Sequence, residues 1–184
     1  MRRHVLLTGS PGSGKTTLCK KVAEQLQSQH VEVTGFFTEE VRDERGMRKG
    51  FDVVSIRDLT VRKSLAIANA PPAIKGPKVG KYTVIVEDFE SVALPCMTNI
   101  KSKVLVIDEI GKMEMFSRKF PQLVKNAFNM KDLHILATIP NKIGPGPLAT
   151  LLDELKKNDA AQLIEVTKTN RDNVIETIVP ILIA

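Results

Sequence analysis

Short apolar runs alternate along the chain with stretches in which apolar residues recur at helical spacing. Leu18, Val22 and Leu26, for example, recur every four residues, as on the buried face of a helix. The apolar runs have the length of strands and lie at Val5–Leu7, Val31–Phe37, Val104–Ile107, Ile135–Ala137 and Leu163–Val166. This alternation predicts an α/β fold with a mostly parallel sheet and helices on both faces. The unbroken run Val104–Ile107 predicts a central strand.

Three more helices are predicted in the second half of the chain. The first carries Phe116, Phe120, Leu123, Ala127 and Phe128, and Pro121 must either open or kink it. The second carries the leucines at 148, 151, 152 and 155. The last is expected to begin at the capping pair Thr169–Asn170 and to be ended or bent by Pro180.

Residues 42–86 do not follow the alternation. They contain a charged turn at 43–46, proline and glycine loops, and two strand-like pieces, Phe51–Ile56 and Tyr82–Val86. The apolar content of this segment is too small for a core of its own. We therefore expect a β-rich insertion within a single domain that spans residues 1–184, a length that can bury one full-sized core.

The first strand leads into a complete phosphate-loop motif, G-x-x-x-x-G-K-[ST]. Glycines let the backbone N–H groups converge on phosphate oxygens, and the following helix adds its positive N-terminal end. Lys15 is expected to bridge the β- and γ-phosphates, Thr16 to bind magnesium and Thr17 to contact the α-phosphate. The motif predicts a P-loop NTPase fold and a nucleotide site formed by Gly9, Ser10, Pro11, Gly12, Ser13, Gly14, Lys15 and Thr16.

Two adjacent acidic residues, Asp108 and Glu109, follow the buried strand Val104–Ile107. They should lie at the carboxyl edge of the sheet, where α/β proteins bind ligands. Asp108 is expected to hold Mg²⁺ together with Thr16, and Glu109 to activate an attacking water. Gly111 can offer its N–H to the γ-phosphate. The alternative is a solvated loop that carries two acids.

Four other residues are candidates for contacts with the nucleotide, each with a plain structural alternative. Thr138 ends the strand after the acidic pair, where P-loop enzymes carry a polar sensor residue, or it is an ordinary strand-end threonine. Arg171 can stack on the base or form a surface salt bridge. Arg42 and Arg48 flank a glycine-containing turn and can stabilise transferring phosphoryl charge, or they are solvated arginines of a hairpin.

Composition and charge exclude only a few classes of binding partner. The net charge of +6 suits a polyanionic ligand, but with 4% aromatic residues there are few rings on which nucleic-acid bases could stack. We expect no nucleic acid and no membrane, because no apolar stretch approaches the ~20 residues of a membrane span. Cys19 and Cys96 form no spacing pattern, so we expect reduced thiols and a cytoplasmic location.

Several segments together resemble one family of proteins. They are Gly9–Leu18, Gly35–Arg42, Arg48–Val54 and Val106–Glu114, with Ala93–Pro95, Thr138–Pro140 and Thr167–Arg171 in support. These segments are similar to the small nucleoside-triphosphatases related to the cancer-related nucleoside-triphosphatase. The resemblance implies Mg²⁺-dependent hydrolysis of ATP, GTP and other nucleoside triphosphates by a compact, monomeric α/β protein.

Two other functions remain open at this point. A kinase for a nucleoside, nucleotide or other small acceptor would use the same P-loop and magnesium, with the segment 42–86 as an acceptor pocket or lid. A nucleotide-gated binding switch would need no fast turnover. Glu109 favours hydrolysis, because a kinase must exclude water and place a base beside its acceptor.

Overall fold

All strands of the protein belong to one nine-stranded sheet. The structure is a computed structural model that describes residues Met1–Ala184. The strands are β1 (His4–Thr8), β2 (Val33–Arg42), β3 (Arg48–Ser55), β4 (Arg62–Ala68), β5 (Lys78–Val79), β6 (Tyr82–Val84), β7 (Val104–Ile107), β8 (His134–Thr138) and β9 (Ala161–Glu165). Because they form one continuous sheet, we propose that residues 1–184 fold as a single domain.

Five helices accompany the sheet. They are α1 (Lys15–Ser28), α2 (Val86–Met97), α3 (Phe120–Asn129), α4 (Pro147–Lys156) and α5 (Ile175–Ile183). One core cluster contains buried residues of α2, α3 and α4, and a second contains those of α1 and α5. Leu6 belongs to the first cluster and its neighbours Val5 and Leu7 to the second, as the alternation of a strand requires. The predicted helices on both faces are therefore confirmed.

The strand order is β5-β6-β4-β3-β2-β7-β8-β1-β9. The strands β2, β7, β8, β1 and β9 pair in parallel, whereas β5, β6, β4, β3 and β2 pair antiparallel. The strand β8 lies beside the P-loop strand β1, with Leu6 opposite Ala137. This order brings the carboxyl ends of β1, β7 and β8 to one edge, and the α/β fold class is confirmed.

The segment 42–86 supplies four of the nine strands of the sheet. The sequence patterns predicted only two short strand pieces there, but β2 continues to Arg42, and β3 to β6 extend the sheet from it. The strands β4 and β5 and the helix α2 were not predicted. Buried residues Phe89, Val92, Ala93 and Met97 do have helical spacing in α2, but Pro95 lies inside the helix and hides the pattern.

Two helix predictions were wrong at their starts. Phe116 lies in a separate 3₁₀ turn, and α3 begins only at Phe120, with Pro121 in its first turn, where a missing N–H costs nothing. The last helix begins at Ile175 and continues through Pro180 to Ile183. Asn170 does not cap it; its side chain instead closes a local turn, accepting from the N–H of Thr167 at 2.8 Å.

Candidate active site

The phosphate-loop sequence connects β1 to α1 as a loop that requires glycine. Gly9 and Gly14 have φ angles of 148° and 103°, which other residues rarely adopt. A Cβ at Gly9 would lie 2.3 Å from the carbonyl oxygen of Val166. Lys15 Nζ donates to the Gly9 carbonyl at 2.9 Å, and Ser13 Oγ is buried without a partner. The loop is thus a tightly wrapped concave surface with a lysine at its mouth.

The N-terminal end of α1 is open to an anion. Its first turn has no side-chain cap and no acidic residue, so its free N–H groups and the helix dipole favour negative charge there. The cavity above it measures about 690 Å³, within the range of small-molecule sites. Four basic side chains line this nucleotide cavity: Lys15, Lys20, Arg48 and Arg171.

Asp108 follows β7 and is held by threonines. It is 1% exposed, accepts a hydrogen bond from Thr138 Oγ1 at 2.6 Å, and accepts one from the N–H of Thr38 at 3.4 Å. Burial raises the pKa of Asp108, against the hydrogen bonds from Thr138, Thr16 and Thr38 and the charge of Lys15. The Asp108 carboxyl therefore lies against the Thr16 hydroxyl at the start of α1.

Glu109 lies at the end of the nucleotide cavity, with Thr38 and Phe51 beside it. Burial and then the neighbouring charge of Asp108 raise the pKa of Glu109, while Lys15 opposes the shift. A carboxylate with a raised pKa is a stronger base. A pKa shifted by burial and by a specific charged neighbour, in a cavity, marks a candidate catalytic group.

The other predicted residues divide between this cavity and its surroundings. Pro11, Gly12 and Thr17 line the nucleotide cavity, and Arg171 packs over Gly14 at its rim. Gly111 lies outside it, and its N–H is bonded to the buried carboxyl of Glu114. Thr138 is fully buried and serves Asp108.

Arg42 and Arg48 differ in position although both pair with Glu40. Arg48 lines the nucleotide cavity and lies over the Phe51 ring, 5.3 Å from its centroid. Arg42 is not among the lining residues; it donates to the Gly46 carbonyl at 2.7 Å and so belongs to the hairpin turn. Of the two, only Arg48 can reach a nucleotide without a change of the hairpin.

Five residues of the cavity were missed as site residues: Lys20, Thr38, Glu39, Glu40 and Phe51. Lys20 Nζ lies 2.5 Å from Glu39 on β2, and Arg62 bonds the same carboxyl at 3.1 Å. The ion pairs with Lys20 and Arg62 lower the pKa of Glu39. No local motif predicts the residues of β2 and β3, because these strands reach the phosphate loop only through the sheet, whereas Lys20 lies in α1, shortly after the motif.

The site combines a strand, a glycine loop and a helix, with a lysine in the loop. An acidic residue follows the central strand β7. This combination defines the class of P-loop nucleotide-binding proteins. The family model described as NTPase matches residues 4–179. The chain belongs to this NTPase family.

Named relatives agree with the family over nearly the whole chain. The chain is 43% identical to the human cancer-related nucleoside-triphosphatase, covering 97% of this chain and 96% of that protein. It is 37% identical to nucleoside-triphosphatase THEP1 of Aquifex aeolicus, covering 97% and 98%.

Solved structures extend the similarity to three dimensions. The solution structure of the human cancer-related nucleoside triphosphatase matches with a TM-score of 0.80 at 43% identity, over 97% of this chain and 96% of that one. The crystal structure of THEP1 from Aquifex aeolicus matches with a TM-score of 0.79 at 34% identity, over 97% and 98%. None of the helices has the length and apolar character to cross a membrane.

Proposed function

We propose that the chain, a nucleoside-triphosphatase, hydrolyses nucleoside triphosphates to diphosphate and phosphate in the cavity above Gly9–Thr16. The observation that carries this assignment is the partly buried carboxyl of Glu109, which lines the same cavity as the phosphate loop. Water attacks the γ-phosphorus, its proton passes to Glu109, and the bond to the β-phosphate oxygen breaks. The resemblance to the cancer-related nucleoside-triphosphatase implies that the substrates are ATP, GTP and other nucleoside triphosphates.

The phosphate groups bind to the loop and to α1. The N–H groups at the start of α1, the loop glycines and Lys15 all present positive charge to the same volume. The buried Ser13 hydroxyl, which has no partner within the protein, is an additional donor for this loop. Arg171 packs against Gly14 at the rim, where it contacts the nucleoside.

Magnesium fits the oxygen donors of Thr16 and Asp108. The Thr16 hydroxyl lies near enough to the Asp108 carboxyl to lower its pKa, so both can face one ion. No group of three or more His, Cys, Asp or Glu side chains is arranged as a metal site. A site for Mg²⁺ does not need one, since this ion is commonly held by one or two carboxylates and substrate phosphates. When bound, the ion neutralises phosphate charge.

The metal assignment predicts that phosphate release requires a small octahedral cation. Excess chelator should abolish release from ATP, GTP, CTP and UTP alike, and Mn²⁺ should restore it better than Ca²⁺, which is larger and prefers more ligands. The measurement is phosphate release with each triphosphate and each metal. Full activity in excess chelator would contradict the assignment of Thr16 and Asp108.

Arg48 stabilises the charge that develops during phosphoryl transfer. Its guanidinium lines the nucleotide cavity and is held by Glu40 and by the Phe51 ring. An arginine supplied from the same chain is a common stabiliser of this transition state. Arg42, which shares Glu40 but turns toward Gly46, has a structural role.

The two arginines therefore provide a matched pair of variants. Arg48→Ala should lower kcat at least about tenfold with little change in nucleotide affinity, because phosphate binding to the loop remains. Arg42→Ala, which removes the same charge and the same partner, should leave kcat unchanged. Steady-state phosphate release and binding of a fluorescent triphosphate measure both quantities. Equal loss in the two variants would assign the effect to Glu40 or to the hairpin.

We also propose a cytoplasmic location and a monomeric state for the enzyme. The two cysteines are free and Cys19 is buried, which suits the reducing cytoplasm. We propose a monomer that binds no nucleic acid, supported by the low aromatic content of 4%. Gel filtration with light scattering checks the monomer.

A further inference from the structure

A second, smaller cavity lies on the other side of Glu109. It measures about 280 Å³, near the lower end of the range for small-molecule sites, which is room for a molecule with one ring. Most of its walls are apolar and come from Phe51, Leu65, Val79, Met113, Pro140 and Ile143. These residues belong to five separate parts of the chain: the strands β3, β4 and β5, the segment after β7, and the loop after β8.

This second cavity and the nucleotide cavity share three lining residues, Thr38, Phe51 and Glu109. The two spaces therefore meet at the carboxyl that we assign to water activation. Arg171 lines only the nucleotide cavity, whereas Ile143 lines only the second one. A molecule in the second cavity would lie next to the γ-phosphate and far from the nucleoside.

A buried acid, Glu114, lines the second cavity. It is only 4% exposed, and the polar contacts of its carboxyl are with the N–H groups of Gly111 and Glu114 itself. No side chain bonds or ion-pairs with it. Burial, and next the charge of Glu109, raise its pKa well above the usual range. A buried carboxyl without a charged partner is costly, and a donor in the adjacent cavity would offset that cost.

Apart from Thr38 and the two carboxyls, the polar side chains of the cavity belong to exposed lysines. Lys112 and Lys142 lie at its rim, where their ammonium groups remain in water. The interior therefore offers apolar walls with a carboxyl on each of two sides, Glu109 and Glu114. We infer that the second cavity is a binding site for a small amine with an apolar body, whose ammonium group pairs with Glu114.

A molecule bound in the second cavity would also change the rate of triphosphate hydrolysis. It would lie against Glu109 and exclude the water that Glu109 activates, so hydrolysis should slow while the triphosphate stays bound. This consequence rests on the proposed function. Binding itself does not, and it can be measured without nucleotide.

The probe is para-methylbenzylamine, with its neutral analogue para-methylbenzyl alcohol as a chemical control. Ligand-observed NMR without nucleotide should show saturable binding of the amine, with the alcohol at least about tenfold weaker, because a charged hydrogen bond is lost. In the phosphate-release assay the amine should lower kcat with little change in the KM for ATP. If the protein releases no phosphate at all, the proposed function fails, while the NMR result still decides the binding site.

Two variants assign the binding to the cavity. Ile143→Trp fills it from a loop and should abolish binding of the amine, whereas Val61→Trp, at a residue that is 45% exposed and lines neither cavity, should not. Glu114→Gln keeps the shape of the side chain and should weaken the amine about tenfold or more but change the alcohol little. The inference is overturned if the amine does not bind, or if it binds Ile143→Trp or Glu114→Gln as it binds the parent.

Discussion

Glu109→Gln is expected to lower the rate of phosphate release by roughly 10²–10⁴-fold, the usual contribution of a general base. Glutamine keeps the size of the side chain and one hydrogen-bonding oxygen but cannot accept the proton of the attacking water. The triphosphate should still bind, because Lys15, Thr16 and Asp108 are unchanged. Affinity can even rise, since repulsion between the Glu109 carboxylate and the γ-phosphate is removed.

The measurement is single-turnover phosphate release, together with equilibrium binding of a fluorescent triphosphate. Loss of binding along with activity would make Glu109 a metal ligand. Unchanged release would remove it from the reaction. The same variant tests the alternative of a kinase: if Glu109 were incidental to transfer, phosphorylation of an acceptor would survive the substitution.

Lys15→Ala is expected to lower triphosphate affinity or turnover by about tenfold or more, because a charged group that contacts two phosphates is lost. Lys15 Nζ bonds the loop carbonyls of Gly9 and Ser10, the second at 3.5 Å. These contacts hold the ammonium at the mouth of the loop. Circular dichroism and thermal unfolding should show an intact fold.

Lys21→Ala is the matched control for this variant. Lys21 belongs to the same helix, lies outside the nucleotide cavity and forms only an exposed pair with Asp172 at 3.6 Å, which contributes little. Its removal should leave nucleotide binding unchanged. If Lys15→Ala hydrolyses as the parent does, the nucleotide site is wrongly assigned.

A local feature of the protein was predictable where the residues that cause it all lie within one segment of the sequence. The alternation of strands and helices in residues 1–37 and 104–166 is visible in the apolar pattern, because each element buries one face or two. The helix α4 is an example: Leu148, Leu151, Leu152 and Leu155 are all buried. Prolines are harder to interpret, since Pro121 opens α3 whereas Pro180 lies inside α5.

By itself the sequence determined the phosphate loop and the acidic pair after the central strand, because each is a contiguous motif whose glycines, lysine and carboxyls have only a few structural uses. Only the tertiary structure decided which residues, distant in sequence, lie beside these two motifs. Thr38, Phe51 and Glu114 come from segments that meet at one edge of the sheet only after β2, β3 and β7 have paired. It also separated Arg48 from Arg42, because Arg42 is bonded to the Gly46 carbonyl of the turn whereas Arg48 lies over the Phe51 ring. Such long-range pairing depends on the packing of the whole sheet, which no short window of sequence contains.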